Sequence, residues 1–228
     1  MLDYLAMSTR IDVILIGQLS QNTSWSEKNA VRPPVATTSL IRGEQNTILV
    51  DPTLDGEPMA RCLLDRTGLR PDQIDIVFLT SFHPTHRRGL GLFEKASWLL
   101  SDTERTAVVT HLERLREGAD AQAAPIIDQE LAVLERIESA DDTLDENVHL
   151  FPSPGATPGC TGLLIADLQT TIIAGDAVLT RDHFEKGLVW EQSADTDMAK
   201  SSLAEVNEIA DLIVPGHDNI FASSVRFM

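Results

Sequence analysis

The stretch VFLTSFHPTHRRGLG, residues Val77 to Gly91, joins an apolar run directly to two histidines three positions apart. Val77, Phe78 and Leu79 read as the end of a buried strand, and Pro84 and Gly89 mark the loop that follows. Histidine, proline and arginine crowded at a strand end suggest a site, since a rigid strand holds side chains in a fixed geometry. The same grammar recurs twice downstream, where TTIIAGD ends in Asp176 and DLIVPGH ends in His217. Imidazole and carboxylate groups together suit zinc, iron or manganese. Of the six histidines, His83, His86 and His217 lie at these ends, leaving His111, His149 and His183 elsewhere.

Working outward, IDVILIG (Ile11 to Gly17) predicts a first strand, rich in β-branched residues and closed by glycine. TTSLIRGEQNTILVDPTL predicts a hairpin around RGEQN whose second strand closes at Asp51, a strand-end carboxylate expected to bond loop amides. EPMARCLLDRTG has helical spacing through Met59, Cys62 and Leu63 and stops at Gly68, and ASWLLS predicts another strand. A helix follows, capped at Asp102 or Thr103 and ending before Gly118. A second helix over Ile126 to Ser139 carries Ile127, Leu131, Leu134 and Ile137 on one face. The helical stretch from Thr103 to Glu138 is expected to cover the core or to form a homodimer face. Beyond it come a strand at NVHLF, a second hairpin around ADLQ, a helix from Asp195 to Ile209 and the strand ending at His217. With no repeat and no linker, one domain over residues 1–228 is expected.

A net charge of −17 gives a field that repels nucleic acid and anionic membrane surfaces, so the expected partner is a small molecule. The two cysteines, Cys62 and Cys160, form no Cys-x-x-Cys pair, which excludes a disulfide framework or a cysteine-rich zinc module. Cys160 reads first as a small buried residue opening the strand TGLLIA, and second as a soft ligand or nucleophile. The opening MLDYLAMSTRIDVILIGQLS lacks a basic leader, and its apolar run is too short to span a bilayer, so a cytoplasmic protein is expected.

The ordered set TSFHPTH, PGATPG, AGDAV and VPGHD, with TILVDPTL before it, resembles the metallo-β-lactamase superfamily over roughly Ile11 to Asp218. That family carries Thr-His-x-His-x-Asp-His after a strand, a Pro-Gly-His-Thr-Pro-Gly turn, a Gly-Asp after a strand and a late Gly-His. The resemblance implies a four-layer αββα sandwich holding two metal ions. This chain departs from the pattern at three ligand positions: Ser81 replaces the first histidine, Thr85 the aspartate, and Ala156 the histidine of the turn. By the resemblance, one metal site keeps only His83, whereas the other keeps His86, His217 and the Asp176 that bridges the pair.

Two functional expectations follow. In the first, one divalent ion (zinc, with iron or manganese as alternatives) is held by His86, Asp176 and His217 and activates water against an ester, thioester or lactone. His83 and Asp176 are then the catalytic residues, with His83 free to act as general acid or base. Arg87 and Arg88 would clamp an anionic substrate or, without metal, neutralise Asp176, and His183 would stand at the pocket rim. In the second, the site holds no metal and the fold is a catalytically inactive pseudoenzyme that binds a ligand or a protein.

Overall fold

The computed structural model describes residues 9–223. The first eight residues of the opening stretch read above for a targeting signal lie outside it.

Among the described residues, twelve strands form two six-stranded mixed sheets. The first holds β1 (Arg10–Leu15), β2 (Thr38–Arg42), β3 (Thr47–Val50), β4 (Ile76–Leu79), β5 (Ser97–Leu100) and β6 (Glu138–Ser139), in that spatial order. The second holds β7 (Thr143–Asp145), β8 (Val148–Pro152), β9 (Thr161–Ala166), β10 (Thr170–Gly175), β11 (Leu212–Pro215) and β12 (Phe221–Ala222), also in chain order. The helices are α1 (Gly56–Thr67), α2 (Pro84–Arg87), α3 (Asp102–Glu117), α4 (Ala123–Arg136), α5 (Arg181–Glu185) and α6 (Thr196–Ile209).

Alternation along the central strands builds the layers, because successive strand residues face opposite sides. Phe78 and Leu99 point between the sheets, where they join Ile48 and Val50 against Leu163, Ile165, Ile173 and Val214. Val77, Leu79 and Leu100 point outward and pack under Met59 and Leu63 of α1 and Leu134 of α4. Ile172, Ala174 and Ile213 face the other way, under Leu203 and Val206 of α6. The result is the expected αββα sandwich.

Both predicted hairpins form, β2 with β3 and β9 with β10, antiparallel. β3 with β4 and β10 with β11 are parallel, so Asp51, Thr80, Asp176 and Gly216 follow strand ends that run in matched directions within each sheet. Two predicted boundaries shift. The cap of α3 is Ser101, whose hydroxyl accepts the Glu104 amide N–H, rather than Asp102 or Thr103. The second helix starts earlier, at Ala123, and ends at Arg136; Glu138 and Ser139 leave it to pair with Leu99 and Leu100. Periodicity alone missed this because a two-residue edge strand is too short to show a pattern. α3 and α4 do cover the core, their apolar faces packing on the outer side of the first sheet. None of the described helices is long and apolar enough to cross a membrane.

Candidate metal centre

Three strand ends converge as the sequence grammar predicts. The loop after β4 leads into α2, a single turn that proline opens at Pro84, and α2 carries His86 inward to full burial. Asp176 follows β10 and His217 follows β11, both buried. The glycines before them are needed for close approach. Gly175 sits at φ +52°, where a Cβ would meet Thr80 Oγ1 at 2.5 Å, and a Cβ on Gly216 would meet Asp176 Oδ1 at 2.8 Å. The Gly-Asp and Gly-His pairs thus reflect how tightly the strand ends are drawn together.

The ligand atoms of His86, Asp176 and His217 all lie within 4.8 Å of one another. His86 Nε2 is 3.2 Å from Asp176 Oδ2, and His217 Nε2 is 3.1 Å from Asp176 Oδ1. The second approach lacks hydrogen-bond geometry, so Asp176 Oδ1 is buried without a hydrogen-bond partner. Outside this triad, each imidazole is oriented by its other nitrogen. His86 Nδ1 lies 2.9 Å from Asp51 Oδ2, and His217 Nδ1 lies 2.8 Å from the Val35 carbonyl, an acceptor only. Both rings therefore turn Nε2 inward, as outer acceptors do for metal-binding histidines.

Asp51 has a larger role than the expected bonding to loop amides. Held at φ +53°, it accepts the Thr80 amide N–H at 2.9 Å and the Thr80 hydroxyl at 2.7 Å while facing His86. A carboxylate that ends one strand thus braces the residue that begins the histidine loop. Glu104, which the sequence did not single out, is the other brace: its buried carboxylate accepts the Phe82 N–H at 3.2 Å and the Gly159 N–H at 2.9 Å. It joins the histidine loop to the Pro-Gly turn. Only its place in the first turn of a predicted helix could have drawn attention to it.

His83 stands beside the triad, its ring 6.1 Å from that of His86 and edge-on to Trp190 at 6.0 Å. Together with Asp176, His217, Thr85 and His183 it lines a cavity of about 290 Å³ whose other wall is Leu19 to Gln21, Pro34 and Val189 to Gln192. Burial lowers the pKa of His83 and of His183; the latter's Nδ1 is 2.7 Å from Thr180 Oγ1. Ser81 and Ala156 are buried but line no part of this cavity. Cys160 is fully buried, with its thiol pKa pushed up by desolvation, which matches the structural role expected first.

The arginines have other partners than Asp176. Arg87 stacks on the Phe82 ring at 3.9 Å, donates to the Phe82 carbonyl at 2.8 Å and pairs with Glu130 of α4. Arg88 is exposed and donates to the Pro34 carbonyl at 3.1 Å. Neither lines the cavity, and Asp176 pairs with His86 rather than with an arginine. The helical turn of α2 is the reason, because it rotates the residues after His86 away from the strand ends.

Burial acts to lower the pKa of His86, but Asp176 and Asp51 outweigh it and hold the imidazole well above its ordinary range. Burial likewise acts to raise Asp176, and His86 and His217 outweigh it, leaving the carboxyl well below its own ordinary range. Metal-free protein should therefore be most stable where His86 is charged and Asp176 ionised. The His86 contribution is complete below the ordinary imidazole value of 6.5 and fades as pH rises through the higher folded value. The Asp176 contribution holds above the ordinary value of 3.8 and is lost only as pH falls through the lower folded value. Melting temperatures of chelator-treated protein should fall as pH is raised from about 6.5 to 9. A flat or rising profile there would contradict the charged assignment of His86.

The model of the metallo-beta-lactamase superfamily matches residues 31–217. An N-acyl homoserine lactonase of Bacillus cereus is 24% identical over 173 residues, which cover 73% of this chain and 65% of the relative; the chain thus spans just under two thirds of that relative's length. Among solved structures, a Thermotoga maritima protein described as a metallo-beta-lactamase superposes with a TM-score of 0.67 at 18% identity, covering 94% of this chain and 99% of its own. AidC, a dizinc quorum-quenching lactonase in complex with its product, superposes with a TM-score of 0.63 at 20% identity over 80% of this chain and 72% of its own. At such identities the superpositions establish the shared fold. The sequence match over residues 31–217, joined to the two-sheet sandwich and its strand-end site, establishes the lineage: the chain belongs to the metallo-beta-lactamase superfamily.

Proposed function

We propose that this protein is a metal-dependent hydrolase that uses one divalent ion, zinc foremost, against an ester, thioester or lactone. The observation that carries this reading is the buried triad of His86, Asp176 and His217. Two nitrogens and a carboxylate converge there, and the orphaned Asp176 Oδ1 is a buried acceptor in need of a cation or a donor. Two histidines and one carboxylate with open positions fit a catalytic zinc site. An ion bound there supplies Lewis acidity and makes water a nucleophile at neutral pH.

The protein's own residues do the rest. Asp51 and the Val35 carbonyl hold the two histidines in orientation. The cavity wall of Leu19, Leu179, Val189 and Trp190 offers an apolar seat for the acyl part of a substrate. A lactone is the favoured class, because the curated relative of Bacillus cereus and AidC are both lactonases. AidC carries two zinc ions, whereas Ser81, Thr85 and Ala156 leave this chain three converging ligands, which is why a single ion is proposed.

The competing reading, a metal-free pseudoenzyme, has one observation in its favour: with His86 charged between Asp51 and Asp176, the site balances much of its charge by itself. Elemental analysis of protein purified without a chelating tag, alongside hydrolysis of an activated ester and a simple γ-lactone, separates the two. The expected result is close to one equivalent of metal per chain and slow, chelator-sensitive turnover. No metal uptake after incubation with zinc, and no turnover, would leave the pseudoenzyme.

A further inference from the structure

The three histidines at the centre are not oriented alike. His86 and His217 each turn Nδ1 outward to an oxygen acceptor and Nε2 inward. His83 does the opposite with its Nδ1, which caps the amino end of α2 and accepts the Thr85 backbone N–H at 3.4 Å, while the Thr85 hydroxyl lies 2.6 Å from the same nitrogen. A backbone N–H can only donate, so Nδ1 presents its lone pair, the Thr85 hydroxyl donates to it, and the ring proton resides on Nε2. Thr85 is 3% exposed, so water competes little for this contact. His83 borders the same cavity as Asp176 and His217 yet is absent from the converging triad.

We propose that Thr85 fixes His83 as an Nε2–H hydrogen-bond donor to the carbonyl oxygen of the substrate, so that His83 works beside the ion and is not its ligand. This rests on the hydrolase reading above. As the oxygen of water bonds to the carbonyl carbon and its proton passes to solvent, the π electrons move onto the carbonyl oxygen, where a positioned N–H stabilises the developing charge without transferring its proton. When the carbonyl re-forms, the C–O bond to the leaving oxygen breaks and that oxygen takes a proton from solvent. His83 is then the catalytic residue and Thr85 a positioning residue. The hydroxyl at position 85 becomes a functional part of the site instead of a missing ligand. Valine at that position would keep the shape and leave the backbone N–H as the one donor to Nδ1; serine would keep both donors.

The test uses the full chain with ¹⁵N-labelled histidine rings, metal-free and after addition of zinc alone. Long-range ¹H–¹⁵N spectra should show His83 with Nε2 protonated and Nδ1 bare in the parent and in Thr85→Ser. In Thr85→Val, where the long 3.4 Å backbone contact is the one donor left and the 2.6 Å hydroxyl contact is gone, a share of the Nδ1-protonated tautomer should appear. In parallel, His83→Ala should retain the parent's metal stoichiometry while kcat on an activated ester falls about a hundredfold, the usual cost of losing one such donor. KM should stay within about twofold of the parent's. Thr85→Val should lose roughly tenfold in kcat and Thr85→Ser should restore most of it, a rescue that a purely structural role would not require.

A protonated Nδ1 in the parent, or loss of metal from His83→Ala, would overturn the proposal while leaving the hydrolase reading intact. So would full turnover in His83→Ala. A parent that hydrolyses nothing would sink the hydrolase reading and the donor role together. The tautomer spectra would then still show whether Thr85 sets the ring.

Discussion

Replacing Asp176 with asparagine should abolish stoichiometric metal binding and, with it, hydrolysis. Asp176 is the one carboxylate of the converging triad and stands between both histidines, 3.2 Å from His86 Nε2 and 3.1 Å from His217 Nε2. Asparagine keeps the shape but removes the negative charge that offsets a divalent ion in a buried site, where an unbalanced charge is costly. Changes to groups that only orient a ligand already cost about 10- to 100-fold in affinity. Loss of the only carboxylate ligand should exceed that range. Zinc titration with a competing chromophoric chelator measures it, and an affinity within about threefold of the parent's would place the metal elsewhere. The variant should remain folded, because His86 keeps Asp51 as its partner.

Asp51→Ala should act on folding and on metal together. The Asp51 carboxylate accepts the Thr80 amide and hydroxyl and faces His86, so its removal strands buried donors at the root of the histidine loop. Truncating one partner of a buried charged network costs about 3–5 kcal/mol. Alanine would also have to occupy φ +53°, a region that aspartate tolerates better than alanine does. Metal affinity should drop by about 10- to 100-fold, since the neutral Thr80 hydroxyl, 3.2 Å from His86 Nδ1, would then be the one remaining contact holding the ring with Nε2 inward. Urea unfolding of the metal-free protein isolates the first effect, and zinc titration the second. A variant with unchanged stability and unchanged affinity would show that Asp51 is incidental to the site. Asp51→Asn should be milder in stability, because its side-chain oxygen can still accept from Thr80.

Much of this site was legible along the chain because strand ends are local features. An apolar run that stops at His83 and His86, at Asp176 or at His217 announces both the strand and the polar group it delivers. The glycine before Asp176 and the one before His217 are part of the same signal, since each marks a backbone that must pass another closely. The near-continuous apolar runs IVFL and IIAG fit strands buried on both faces, which only a layer on each side can cover.

What lay beyond the sequence was the direction of side chains in three dimensions. Arg87 and Arg88 adjoin His86 in the chain, but the turn of α2 sends one to Glu130 and Phe82 and the other to the surface. Asp51, Glu104 and the Val35 carbonyl lie 35, 18 and 51 positions from His86 in the chain, and only the parallel pairing of β3 with β4 makes the first of them its partner. The proton on His83 was equally hidden, because it depends on which nitrogen meets the Thr85 hydroxyl. The sequence by itself determined which ligating groups arrive at the strand ends. Tertiary structure decided how each ring is turned: the pairing of β3 with β4 brings Asp51 to His86, the closing of the two sheets brings the Val35 carbonyl to His217, and the turn of α2 sets Thr85 on His83 Nδ1.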